Sequence, residues 1–164
     1  MTNDYLVVNG AAQTMPSARF TELMTAVLDR GAPFRFQASG FSMSPFIRDG
    51  DTITIAPTPG RLRFGDVAAF VNLCNDRLTV HRVVHVDRRG YLMRGDNAPG
   101  PDGYVPHADI LGRVIRVERG GRGVRFGLGL ERVVIAFLSR RGWLMPLLVH
   151  VLRTFLFHIK RFMP

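Results

Sequence analysis

Two periodicities divide most of the chain. From Pro16 to Gly31 the stretch PSARFTELMTAVLDRG sets Phe20, Leu23, Met24, Val27 and Leu28 at helical spacing. This predicts a packing helix, with Pro16 in its first turn and Gly31 at its end. From Pro33 the period falls to two. FRFQAS alternates Phe34, Phe36 and Ala38, and DTITIA alternates Ile53 and Ile55. DVAAFVN, RLTVHRVVHV, GYLMRG and ILGRVIRVERG follow, separated by the turn-forming stretches RDGD, TPGRLRFG, DRRG and GDNAPGPDG. Short strands punctuated by Gly, Pro and Asp predict a compact, mainly β domain of coiled or barrel-like form. GGRGVRFG reads as one more edge strand. No internal repeat and no low-complexity segment interrupts this order.

The last stretch changes character again. GWLMPLLVHVLRTFLFHIKRFMP is apolar and aromatic, but His150, Arg153, Thr154, His158 and Arg161 mostly share one side of a helix. Charge sharpens this picture. The net charge is +9, and residues 1–110 carry eleven arginines against eleven acids. Residues 111–164 carry ten arginines and one lysine against Glu118 and Glu131, so all of the excess lies there. An apolar, aromatic face opposite a basic one predicts a C-terminal amphipathic helix lying in a membrane interface. The expected partner is an anionic membrane surface, met through residues 140–164. A core helix or a protein-binding helix is the competing use. Arginines interleaved with aliphatics rather than with stacking aromatics give no expectation of specific nucleic-acid binding.

The chain thus divides into residues 1–32 with the first helix, a β domain over 33–127, and a basic tail over 128–164. No run of about 20 apolar residues predicts a transmembrane helix. MTNDYLVVNGAAQT has an early acid and a short apolar run, which is not the pattern of a signal peptide. The expectation is membrane association at a cytoplasmic face. A single cysteine, Cys74, excludes an internal disulfide and a cysteine metal cluster. With no HExxH and no calcium loop, neither a metal nor a cofactor is expected.

The candidate chemistry starts at GFSMSPFIRDGD, residues 40–51, where serines flank a methionine ahead of a proline. A serine hydroxyl needs a neighbouring base to become a nucleophile. The only lysine is Lys160, in the tail, so a base inside the β domain must be a histidine or a carboxylate. His81 lies in the β-branched run LTVHRVVHV, and a histidine there needs ring hydrogen bonds. His85, four residues on, points to the same face in a regular strand. His107 lies in a proline-rich loop. Asp96, Asp102 and Asp109 are each placed to orient a histidine, and Asp96 in GDN also suits a tight turn.

In order, GFSMSPFIRDGD, FGDVAAFVN, LTVHRVV, RGDNAPGPDG and ILGRVIRV resemble the boxes of type I signal peptidases. They also resemble the catalytic domains of LexA-type self-cleaving repressors. The resemblance covers about residues 33–117 and implies a coiled, all-β serine peptidase fold. Its nucleophile precedes a methionine, which maps it to Ser42. Met43 and Pro45 match the same box and would border the substrate pocket. Bacterial signal peptidases and LexA carry a lysine base in the box that here reads VHRVV. The endoplasmic-reticulum and archaeal branch has histidine, and this chain has His81. That branch's acid, six residues beyond the aspartate of GDN, falls on Asp102, with Asp96 as the alternative. Gly40 stands where many signal peptidases have an oxyanion-binding serine, which leaves backbone N–H groups such as that of Ser42. The implied function is a serine endopeptidase that cleaves an extended peptide after small residues. The resemblance also admits a self-processing regulator cutting at the Gly-Ala of VVNGAAQT, and a peptide-binding module with a relict dyad.

Overall fold

The computed structural model describes residues 6–8, 17–58, 60–72 and 76–162. Pro16, Cys74 and most of the VVNGAAQT segment lie outside the described residues. The expected first helix is α1, Ser17–Asp29. It buries Phe20, Met24 and Leu28, which recur every four residues and so share one face. Each of these side chains contributes about 1.5–3 kcal/mol on burial.

The strands are β1 (Leu6–Val8), β2 (Phe34–Gln37), β3 (Thr52–Ala56), β4 (Val67–Asn72) and β5 (Arg77–Asp87), then β6 (Gly90–Arg94), β7 (Gly103–Val105), β8 (Ile110–Arg119) and β9 (Arg122–Val124). Among the described residues they form one nine-stranded sheet, ordered β1-β2-β3-β8-β4-β5-β6-β7, with β9 added to β8. Only β1 against β2 is parallel. The other pairs are antiparallel. The GGRGVRFG stretch supplies β9 as an edge strand, as its sequence predicts.

α1 closes one face of this curled sheet. Phe20 meets Phe34 and Phe36 edge-on at centroid distances of 5.5 and 5.3 Å. The same cluster takes in Met43, Ile53, Ile55 and Val117. A second cluster, around Phe70, Val83, Tyr91 and Met93, fills the other end of the sheet.

The C-terminal region holds two helices rather than the single one expected. α2 spans Arg132–Arg141 and α3 spans Leu144–Phe162. Gly142 joins them in the left-handed conformation at φ 71°, where its N–H bonds the Ser139 carbonyl and ends α2. The two helix axes meet at 107°. Ile135 of α2 and Leu144 of α3 pack with Phe46 in a small third cluster, with Leu138 and Leu148 at its edge. The apolar run ERVVIAFLS was obscured in the sequence by the glycines before it and the arginines after it. No single helix among the described residues is long and apolar enough to cross a membrane.

Candidate active site

β5 carries His81 opposite Ala68 of β4, with the Phe70 ring edge-on at 6.3 Å. The imidazole is 8% exposed and both ring nitrogens have partners. Nδ1 lies 2.5 Å from Asp102 Oδ2, and Nε2 lies 2.8 Å from Ser42 Oγ. An ionised carboxylate only accepts, so Nδ1 carries the hydrogen and Nε2 is left to accept from the serine hydroxyl. Residues 42, 81 and 102 come from three separate parts of the chain and meet in one hydrogen-bonded line.

The turn that presents Ser42 is built around its neighbour. Met43 is buried in the main core, while its carbonyl accepts from the N–H groups of Phe46 and Ile47 at 3.1 and 3.0 Å. Ser44 N–H closes the turn on the Phe41 carbonyl at 3.1 Å. The anchored methionine fixes the backbone and leaves Ser42, one residue earlier, facing solvent. A second clamp comes from the loop after β6. Asn97 donates its N–H to the Ser42 carbonyl at 2.7 Å and its side-chain amide to the Phe41 carbonyl at 3.2 Å.

Asp102 directly precedes β7, and its N–H bonds the Met93 carbonyl at 2.9 Å. Asn72 Nδ2, at the end of β4, reaches Asp102 Oδ1 at 3.5 Å. The carboxylate is therefore held from its backbone side while one oxygen faces the imidazole.

Asp96 is engaged elsewhere. Arg82 grips it through Nε at 2.8 Å and a terminal nitrogen at 2.7 Å, with both side chains fully buried. The remaining terminal nitrogen of Arg82 donates to the carbonyls of Gly65 and Gly127, each at 2.9 Å. The structure brings Asp102, and not Asp96, to His81. Alternation along β5 explains why: His81 and Arg82 are neighbours and point to opposite faces of the strand. The Asp96 carboxylate is used up on the far face by the guanidinium.

A second ion pair sits under the turn. Arg119 binds Asp51 at 2.8 and 2.7 Å and also donates to the Phe46 carbonyl at 3.3 Å. Burial pushes the Asp51 carboxyl up, but Arg119 and the Arg48 N–H outweigh it and hold the group below its ordinary value.

Beside Ser42 lies an open cleft of about 560 Å³. One wall is the segment Ala38–Gly40 that follows β2, and the other is the strand edge Arg77–Val80 of β5. β6 pairs with β5 only from Arg82 onward, so over 77–80 the described strands flank β5 on the β4 side alone. Phe36, Met43, Ile53, Leu78 and Val80 give the cleft an apolar lining. Pro45 is not part of that lining. It follows a cis peptide bond after Ser44, and its carbonyl accepts from Arg48 Nε. The β2 strand ends at Gln37, so Pro45 shapes the turn and does not end a strand.

The remaining titratable candidates lie apart. His85 does not share the His81 face, because the β5–β6 register shifts between Val83 and His85. That bulge buries both Val83 and Val84 and turns His85 toward Arg140, 3.0 Å away. His107 packs edge-on against Tyr91 at 4.5 Å, and Asp109 is exposed in the short 3-10 turn beside it. Among the described residues no group of three or more His, Cys, Asp or Glu side chains is arranged to hold a metal. Sequence reasoning did not find Gly95, Asn97 or Arg82. The signal for the first two was the GDN box itself, which reads as a turn until the Ser42 loop is laid against it.

Residues 9–115 match the Peptidase S24-like family. This span covers most of the chain and contains Ser42, His81 and Asp102, and the chain belongs to that family of peptidases. No curated protein matches it. The curled, mainly β architecture with helices at both ends is consistent with that family. α2 and α3 lie beyond the matched span.

Proposed function

We propose that this protein is a serine endopeptidase that cleaves an extended peptide with Ser42 as nucleophile, His81 as general base and Asp102 as the group that orients it. The observation that carries this reading is the unbroken hydrogen-bonded line from Ser42 Oγ through both nitrogens of His81 to Asp102, opening on a cleft between Ala38–Gly40 and the Arg77–Val80 strand edge.

The peptide lies between Ala38–Gly40 and Arg77–Val80, where the edge of β5 offers main-chain hydrogen bonds. Ser42 Oγ adds to the scissile carbonyl carbon as His81 Nε2 takes the hydroxyl proton. The carbonyl oxygen becomes an oxyanion, facing backbone N–H groups such as that of Ser42. The imidazolium, paired with Asp102, then gives its proton to the leaving amine as the C–N bond breaks. Water repeats the sequence on the acyl-enzyme and restores Ser42. The preference for small side chains before the cleaved bond follows from the resemblance to signal peptidases. Incubation with a library of extended peptides tests this. Cleavage after small residues by the wild type, absent in Ser42→Ala, is the expected result. No cleavage, together with no labelling of Ser42 by an acylating probe, would leave a binding module with a relict dyad.

One observation favours self-processing as a second reading. β1 runs parallel to β2, with Val8 opposite Phe36. The chain therefore leaves β1 beside the strand that leads into the cleft. The Gly10–Ala11 bond itself lies outside the described residues. A shortened amino terminus in purified wild type, intact in Ser42→Ala, would support cutting in cis.

A further inference from the structure

We propose that the α2–α3 corner docks this protein on an anionic lipid surface and so holds its cleft beside membrane-borne peptide. The docking rests on its own residues, and only the consequence for peptide supply rests on the peptidase reading.

The first ground is an apolar stripe that the domain does not use. α3 is fixed at its start by Leu144 and Leu148 in the Phe46 cluster. Beyond that it leaves the domain, with Val151 and Leu152 each 57% exposed and Phe155 61% exposed. At 100° per residue, Leu148, Leu152, Phe155 and Leu156 fall on one side and His150, Arg153 and Thr154 on the other. α2 adds to it: its Val133, Val134 and Phe137 follow helical spacing and are exposed, while Ile135, Ala136 and Ser139 face the domain, and Leu130 just before the helix is exposed as well.

The second ground is charge, and it selects the occupant. Residues 132–162 hold Arg132, Arg140, Arg141, Arg153, Lys160 and Arg161 and no acid. Arg141 lies over the rings of Phe137 and Trp143, at 5.0 and 5.5 Å. A cation seated on exposed aromatics at the rim of an apolar face matches a headgroup boundary. A second copy of this chain would bring the same arginines face to face, without acids to pair them. An anionic lipid surface supplies both the apolar layer and the negative charge. The basic side of α3, with Arg153 opposite the apolar stripe, favours lying on the surface over a span broken at the 107° bend.

The corner is also tied to the site. Ser139, Gly142, Leu144 and Met145 line one small cavity together with Asp96, Asn97 and Pro99. Asn97 is the residue that clamps Ser42. The lipid-facing helix is thus mounted on the loop that holds the nucleophile, and this mounting fixes the orientation of the cleft at the surface.

The test is co-sedimentation of full-length protein with phosphatidylcholine vesicles, with and without about 30% phosphatidylglycerol. Wild type should partition to the anionic vesicles and be released between about 0.1 M and 1 M salt, as the screening length falls from about 10 to 3 Å. Leu152→Glu with Phe155→Glu, and separately Arg141→Glu with Arg153→Glu, should each lower partitioning by about tenfold or more. These side chains are exposed, and circular dichroism checks that the variants remain folded. Ser42→Ala should bind as wild type does, so loss of the peptidase reading would leave this proposal standing. Wild type that ignores anionic vesicles, or variants that bind them equally well, would overturn it. A concentration-dependent dimer abolished by Leu152→Glu with Phe155→Glu, with no vesicle binding, would also overturn it and assign the face to a second copy.

Discussion

Gly95 lies against the imidazole of His81: a Cβ built on it would sit 2.9 Å from Nε2 and 2.7 Å from the Ser42 carbonyl oxygen. The atoms it would meet belong to the two groups whose 2.8 Å separation defines the dyad. One of them is backbone, held in place by Asn97. The glycine is therefore what lets the GDN loop close onto the Ser42 turn.

Gly95→Ala should part Ser42 from His81 while the rest of the fold persists. A misplacement of about 1 Å in a reacting pair costs roughly a hundredfold in rate, and overpacking costs about 1–3 kcal/mol. Peptidase assays and urea melts on the same preparation check both quantities. Near-normal kcat/KM in Gly95→Ala would show that the close approach does not matter to the reaction.

Removing the groups themselves should act more strongly. His81→Ala should lose about four orders of magnitude or more, since the proposed base for Ser42 is gone. Asp102→Asn should come close to this, because its amide can donate to Nδ1 and so force the hydrogen to Nε2, the nitrogen that must accept from Ser42. Both variants should remain folded by circular dichroism. If Asp102→Asn keeps wild-type kcat, the 2.5 Å contact with His81 has no catalytic part.

The legible part of this molecule was what alternation and turn residues encode. The strand from Phe34, the run around His81 and the helix face of Phe20, Met24 and Leu28 all lie where the sequence puts them. The candidate triad was legible through the order of its boxes, and spacing alone left Asp96 and Asp102 open. Choosing between them required the register of β5, which turns Arg82 to the opposite face, where it engages Asp96. His85 was misplaced because a bulge at Val84 has no signature in a uniformly β-branched run. The bend at Gly142 was missed for a related reason: an apolar run on each side of a glycine reads equally well as a broken helix or as a loop and a helix.

The buried Arg82–Asp96 pair should govern stability. Asp96→Asn leaves a guanidinium without its counter-charge in a fully buried site, at a cost of about 3–5 kcal/mol. Arg82→Met with Asp96→Leu removes both charges and should cost less than Asp96→Asn alone. It should not restore wild-type stability, because the Gly65 and Gly127 carbonyls lose their donor. Urea unfolding of the three proteins is the measurement. An Asp96→Asn protein as stable as wild type, yet slower, would move Asp96 from scaffold to mechanism.

Acid should loosen the Ser42 turn before it dissolves the sheet. Burial raises the Asp51 carboxyl, yet Arg119 and the Arg48 N–H bring it below its ordinary 3.8. Glu131 is held below 4.5 by its own N–H and by those of Gly127 and Gly129. For both groups the folded pKa is lower than the unfolded one, so near pH 4 the unfolded chain binds more protons than the folded one. Stability from these carboxylates is complete above their unfolded values and is lost as pH falls through the folded ones. The thermal midpoint should be flat from neutrality to about pH 5 and fall steeply below about pH 4. Asp51→Asn should start lower at pH 7, by about 1–3 kcal/mol for the lost charged hydrogen bonds, and show a shallower acid slope. Because Arg119 also bonds the Phe46 carbonyl, Asp51→Asn should in addition raise hydrogen exchange around Met43–Ile47 at neutral pH. An acid slope identical in wild type and Asp51→Asn would place the acid-sensitive contacts elsewhere.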